Sequence, residues 1–170
     1  RTRELVTLQY NTYNRSLVPL MHQHGIVVMD AFEDLSESQA AFVDRYFEDN
    51  VYPVLTPMAV DASRPFPLIR NKTLNIAALL SRKKGKTDKE EIEFATVQVP
   101  SVLPRLVHIP SENGNAKTFI LLEQVIERNI DKLFLNYDVR CAYPYRVMRN
   151  ADLSIDEDEA ADLLKEIQKQ

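Results

Sequence analysis

The stretch VYPVLTPMAVDASRPFPLIRNKTLNIAALL, residues 51–80, changes character partway along. Its first part, residues 51–68, carries prolines at 53, 57, 65 and 67, and the residue before each is biased toward extended backbone. Val54, Leu55, Met58, Val60, Phe66 and Leu68 need burial, so a packed, irregular extended segment is expected here rather than a free linker. Its second part alternates Leu74, Ile76, Ala78 and Leu80 with Asn75, Ala77 and Leu79, the period of a strand with two fairly apolar faces. The run RKKGKTDK, residues 82–89, then reads as a charged hairpin turn around Gly85, with residues 91–99 as the returning strand. A hairpin at this point excludes strict βαβ alternation.

Working outward from the hairpin, residues 2–24 place Leu5, Leu8, Tyr13, Leu17 and Leu20 at helical spacing, and Gly25 stops that long helix as a C-terminal cap. Residues 26–29 form a short apolar strand. Ser36 followed by Gln39 has capping-box spacing and opens a helix over 37–49, with Phe42, Tyr46 and Phe47 to one side. Strands are expected at 105–109 and 118–122, a helix at 123–134 with Val125, Ile126, Ile130 and Leu133 in one stripe, and a strand at 139–148. A last helix, 156–168, is capped by Asp156 and has acidic residues at the positive end of its dipole. The class is α+β: a mixed, largely antiparallel sheet flanked by helices and preceded by one long helix. Helices that run into residue 1 and residue 170 suggest a piece of a longer protein.

Composition narrows the chemistry. Lys and Arg number 21 against 25 Asp and Glu, a net charge of -4, so the chain as a whole has no general attraction for nucleic acid or anionic lipid, and any polyanion site must be local. The three glycines, Gly25, Gly85 and Gly114, are too scattered for a dinucleotide or P-loop fingerprint. Cys141 is the one cysteine, which excludes an internal disulfide and a Cys-rich zinc site, and its apolar neighbours suggest an inert core thiol. No apolar run reaches the length of a membrane span.

No metal or catalytic site is expected from the histidines. His22 and His24 are two apart and share no helical face, and His108 lies on a strand beside Pro110. The basic run at 82–89 is read as a solvated turn. Arg105, Arg140, Arg146 and Arg149 fall in strand-like segments, where arginine's planar fork suits phosphate oxygens; the competing reading is pairing with carboxylates such as Asp138 and Asp152. Apart from Tyr143 and Tyr145, aromatics are not interleaved with these arginines in the pattern of a nucleic-acid site.

The 51–80 stretch resembles the middle of bacterial polyphosphate kinases. Four further segments are similar to the same family in the same order: LVPLMHQHGIVV (17–28), VQVPSVLPRLVHIP (97–110), FILLEQVIERNIDKLF (119–134) and AYPYRVMRNADLSIDEDEAADLL (142–164). The resemblance implies that residues 1–24 are the last helix of an amino-terminal helical domain. Residues 25–170 would be most of a head domain similar in fold to phosphohistidine phosphatases.

For the parent enzyme the resemblance implies transfer of the γ-phosphate of ATP to growing inorganic polyphosphate through a phosphohistidine. ATP and Mg are held mainly outside this piece, and catalytic, cofactor and metal residues are expected to be absent from it. The implied partners are the remaining kinase domains, a second copy in a homo-oligomer, and inorganic polyphosphate. The implied setting is the cytoplasm, with membrane association open to the parent complex. Arg105, Arg140, Arg146 and Arg149 then either line the polyanion route or brace a domain interface. The alternative is an autonomous polyanion- or protein-binding module without enzymatic activity.

Overall fold

In the computed structural model, residues 1–60, 67–82, 92–112, 114 and 116–148 are described. The expected terminal helix at 156–168, Arg149 and the tip of the 82–89 turn lie outside them.

The chain enters through a helical rod made of α1 (Thr2–Thr12), a π-helical turn (Tyr13–Leu17) and α2 (Val18–Gln23). Pro19 has no N–H to give the carbonyl of Arg15, and the wider turn just before it, closed by Val18 N–H on the Tyr13 carbonyl, absorbs the break. Gly25, at φ 70°, ends the rod in the left-handed conformation that glycine adopts without steric cost. None of the rod's residues is buried.

Strand β1 (Ile26–Val28) follows, and then α3 (Glu37–Tyr46), whose capping box forms as its sequence requires. Ser36 Oγ accepts from Gln39 N–H at 3.4 Å, Gln39 Oε1 accepts from Ser36 N–H at 3.2 Å, and Gln39 Nε2 donates onward to the Pro110 carbonyl. The helix runs on through a π-helical turn (Phe47–Val51) and a 3-10 turn (Tyr52–Val54).

Part of the proline-rich stretch is more regular than expected. β2 (Pro57–Val60) pairs antiparallel with β4 (Ile92–Gln98). Pro57 is tolerated because it is the first residue of an edge strand, where no ladder N–H is lost. β3 (Leu74–Arg82) pairs with β4 as the hairpin predicts and with β7 (Tyr137–Arg146) on its other side. The remaining strands, β5 (Leu106–Ile109) and β6 (Lys117–Leu121), join β1.

The α+β class holds, and the strands divide into two sheets where the sequence suggested one. The first, in order β1-β6-β5, is mixed, with β1 parallel to β6. The second, in order β2-β4-β3-β7, is wholly antiparallel. Both contribute to one core. Ile76, Ala78 and Leu80 of β3 and Ala95 and Val97 of β4 cluster with Val107, Ile109 and Ile120 of the first sheet. Val43, Phe47 and Val51 close the core from α3 and the turn after it, and Leu122, Val125 and Ile126 close it from α4 (Leu122–Arg128). Each large side chain buried this way is worth roughly 1.5–3 kcal/mol relative to exposure.

The predicted helix at 123–134 is α4 followed by a 3-10 turn (Ile130–Leu133), with the break at Asn129. Asn129 Nδ2 is fixed by the Val125 carbonyl and Asp44 Oδ1. Arg128 grips Asp44 with both Nε and Nη2, at 2.8 and 3.0 Å, tying α4 to α3. These hydrogen bonds, opposed by desolvation, hold the Asp44 carboxyl below its ordinary pKa. Cys141, on β7 opposite Leu79, is half-buried rather than a core thiol.

Candidate functional site

At one end of the second sheet, four cations from three segments meet around a cleft of about 410 Å³. Arg70 and Lys72 come from the loop entering β3, Arg105 from the residue before β5, and Arg146 from the last position of β7, paired with Leu74. Leu74, Val99, Leu103 and Leu122 supply an apolar lining, with the Ser101 and Thr73 hydroxyls beside it. Among the described residues no Asp or Glu lines it.

Local structure fixes each wall. Lys72 adopts φ 61°, the left-handed region that a residue with a Cβ enters at a cost. It is held there because its N–H donates to the Val147 carbonyl at 2.8 Å, next to Arg146. Thr73 Oγ1 donates to the Arg70 carbonyl at 2.9 Å, and Asn75 Nδ2 donates to the Thr73 carbonyl, so the loop satisfies its own polar groups and turns Arg70 and Lys72 outward. Both are exposed.

Arg105 is anchored twice. Its carbonyl accepts the Leu122 N–H at the start of α4, and its guanidinium straddles Glu123, with Nε 3.1 and 3.2 Å from the two carboxylate oxygens and Nη2 donating to Oε1. Glu123 is nearly sealed, its side chain 6% exposed, while that of Arg105 is 58% exposed. The hydrogen bonds from the guanidinium to Glu123 raise the Arg105 pKa, so its charge is permanent at any relevant pH. A buried carboxylate thus orients a cation that still faces solvent.

The expected arginines separate. Arg105 and Arg146 share the cleft. Arg105 has the carboxylate partner anticipated by the competing reading, although the partner is Glu123. Arg140 lies elsewhere: Leu79 pairs with Cys141 and Leu80 with Val139, so Arg140 is the extra residue of a β-bulge, and its Nε donates to Ser81 Oγ at 3.0 Å. Arg149 is outside the described residues. Arg70 and Lys72 are additions that a search of strand-like segments passes over, because they sit in the loop between the prolines and β3.

The remaining candidates stay apart from the cleft. His22 and His24 are exposed at the end of the helical rod, and His108 meets Phe119 edge-on at 5.4 Å between ring centroids. Among the described residues no three His, Cys, Asp or Glu side chains gather as metal ligands, and no helix is long and apolar enough to cross a membrane.

Comparison with known proteins gives this surface a context. The family model described as the polyphosphate kinase middle domain matches residues 38–170. Over all 170 residues the chain is 52% identical to a polyphosphate kinase of Lactiplantibacillus plantarum, 47% to one of Halalkalibacterium halodurans and 44% to one of Bacillus anthracis. It spans about a quarter of the length of these relatives, 23–24%. The crystal structure of polyphosphate kinase from Porphyromonas gingivalis superposes with a TM-score of 0.77 at 27% identity, covering 96% of this chain and 27% of that one. Sequence, family model and fold agree, and the chain belongs to the polyphosphate kinase family.

Proposed function

We propose that this chain works as a non-catalytic part of a polyphosphate kinase. The parent protein transfers the γ-phosphate of ATP to growing inorganic polyphosphate through a phosphohistidine, with ATP and Mg held mainly by residues outside this chain. The observation that carries the reading is the 52% identity, over every residue of the chain, to a protein of that name. Moving a phosphoryl group between anions calls for cations around the path, and the cleft of Arg70, Lys72, Arg105 and Arg146 is a preorganised source of them.

The rest of the chain supports architecture. In the helical rod Leu5, Leu8, Tyr13, Leu17 and Leu20 are each 46–62% exposed, an apolar row suited to packing against the remaining domains of a cytoplasmic homo-oligomer. Arg140, braced on Ser81 away from the cleft, fits interface support better than a polyanion route.

Incubation of the full-length protein with ATP and Mg, followed by measurement of acid-insoluble polyphosphate, tests the reading. Synthesis by the full-length protein and none by residues 1–170 alone is expected. A full-length protein that makes no polyphosphate overturns it.

A further inference from the structure

We propose that the cleft bounded by Arg70, Lys72, Arg105 and Arg146 is a binding site for an inorganic phosphoanhydride chain, holding consecutive phosphates among its four cations. The proposal rests on the phosphotransferase reading above and adds a site within this chain.

Charge is the first ground. Glu123 pairs with Arg105, whereas Arg70, Lys72 and Arg146 have no carboxylate partner among the described residues. Three uncompensated cations on one concave surface repel one another, and a multivalent anion between them removes that repulsion. The chain is acidic overall, so the concentration of positive charge here is local.

Geometry is the second ground. Arg105 spends Nε and Nη2 on Glu123, which leaves guanidinium donors for a ligand in an orientation already fixed. Lys72 is kept in a strained backbone conformation by its bond to Val147, and that bond locks the Arg70–Lys72 loop to the end of β7 that carries Arg146. Strain of this kind persists where surrounding structure over-determines it, most often at binding sites. Arg105 and the Arg70–Lys72 loop are therefore held in place before a ligand arrives, which lowers the ordering cost of binding.

The lining also selects among phosphate compounds. Among the described residues it holds no aromatic ring on which a base could stack. Arginine forks and a lysine match phosphate oxygens, and none of the described lining residues offers a stacking surface for adenine. A plain phosphate chain fits better than a nucleotide, whose triphosphate would engage the same cations without help from its base.

The test is a footprint at Lys72 in the full-length protein. An amine-reactive acylating reagent is applied with inorganic polyphosphate, with ATP, or with neither, and acylation of each lysine is quantified by mass spectrometry. Lys132, in the 3-10 turn after α4 and paired with Glu48, does not line the cleft and serves as the internal control. Inorganic polyphosphate is expected to protect Lys72 and spare Lys132, with ATP protecting far less at equal phosphate concentration. R70Q/R146Q is expected to weaken protection about tenfold or more, the scale of losing phosphate contacts, with R70K/R146K partly restoring it. An unchanged thermal melt shows that the variants remain folded.

Protection that survives R70Q/R146Q, or no protection of Lys72, overturns the site. Equal protection by ATP overturns its assignment to an inorganic chain. Polyphosphate synthesis is read in parallel: a protein that makes the polymer but leaves Lys72 unprotected refutes the cleft alone, whereas one that makes none refutes the kinase reading.

Discussion

Glu123 and Glu127 sit one turn apart on α4 and show how environment assigns roles to like residues. Glu123 is buried but satisfied by the Arg105 fork. Replacing Arg105 by Ala leaves that carboxylate sealed without its partner, at an expected cost of roughly 1–2 kcal/mol after allowing for the exposed arginine. Urea denaturation checks it, and R105A/E123L should recover most of the loss because the stranded charge is gone. Glu127 has no such partner among the described residues. Burial, then the charges of Glu123 and Glu33, push its pKa up to about 7. The folded state therefore binds this proton more tightly than the unfolded chain, so its stabilisation is full below about pH 4.5 and is lost as pH rises toward 7. E127Q should accordingly be more stable than wild type at pH 8 by on the order of 1 kcal/mol, screening included, with the gap closing by pH 5. Denaturation midpoints at the two pH values measure it.

At the scale of elements, period and capping were readable directly. The alternation from Leu74 to Leu80 produces β3, and Ser36 with Gln39 caps α3. Three features escaped such reading for physical reasons. Prolines disguised β2, because a proline that opens an edge strand looks the same in sequence as one that breaks a strand. The bulge at Arg140 is an extra residue in a ladder, which nothing in the local composition announces. Because of it, the even spacing of Arg140 and Arg146 does not carry the shared face that an uninterrupted strand would guarantee. The left-handed turn at Lys72 is set by the Val147 carbonyl, a partner far along the chain. K72G should relieve that backbone strain, raising stability by about 0.5–1 kcal/mol in a thermal melt while weakening polyphosphate binding. A rise in stability coupled to a fall in binding would show that the lysine is kept for its charge.

For the whole molecule, the sequence resemblance carried the family, and the division of strands into two sheets around one core emerged only from the fold. The candidate site was half legible: Arg105 and Arg146 could be picked out by residue type, whereas Arg70 and Lys72 join them only through tertiary structure. The molecule so assembled is a scaffold that gathers four cations, from three separate segments, around one cleft.

On the proposal above, this scaffold holds the phosphate chain electrostatically through that cleft. The salt dependence of inorganic polyphosphate binding, measured for the full-length protein and for R70Q/K72Q/R146Q, tests it most directly. Removing three cations should reduce the slope of log K against log salt by about 2, taking the single-strand coefficient for a linear polyanion. A slope unchanged by the three substitutions would mean that these cations do not hold the chain.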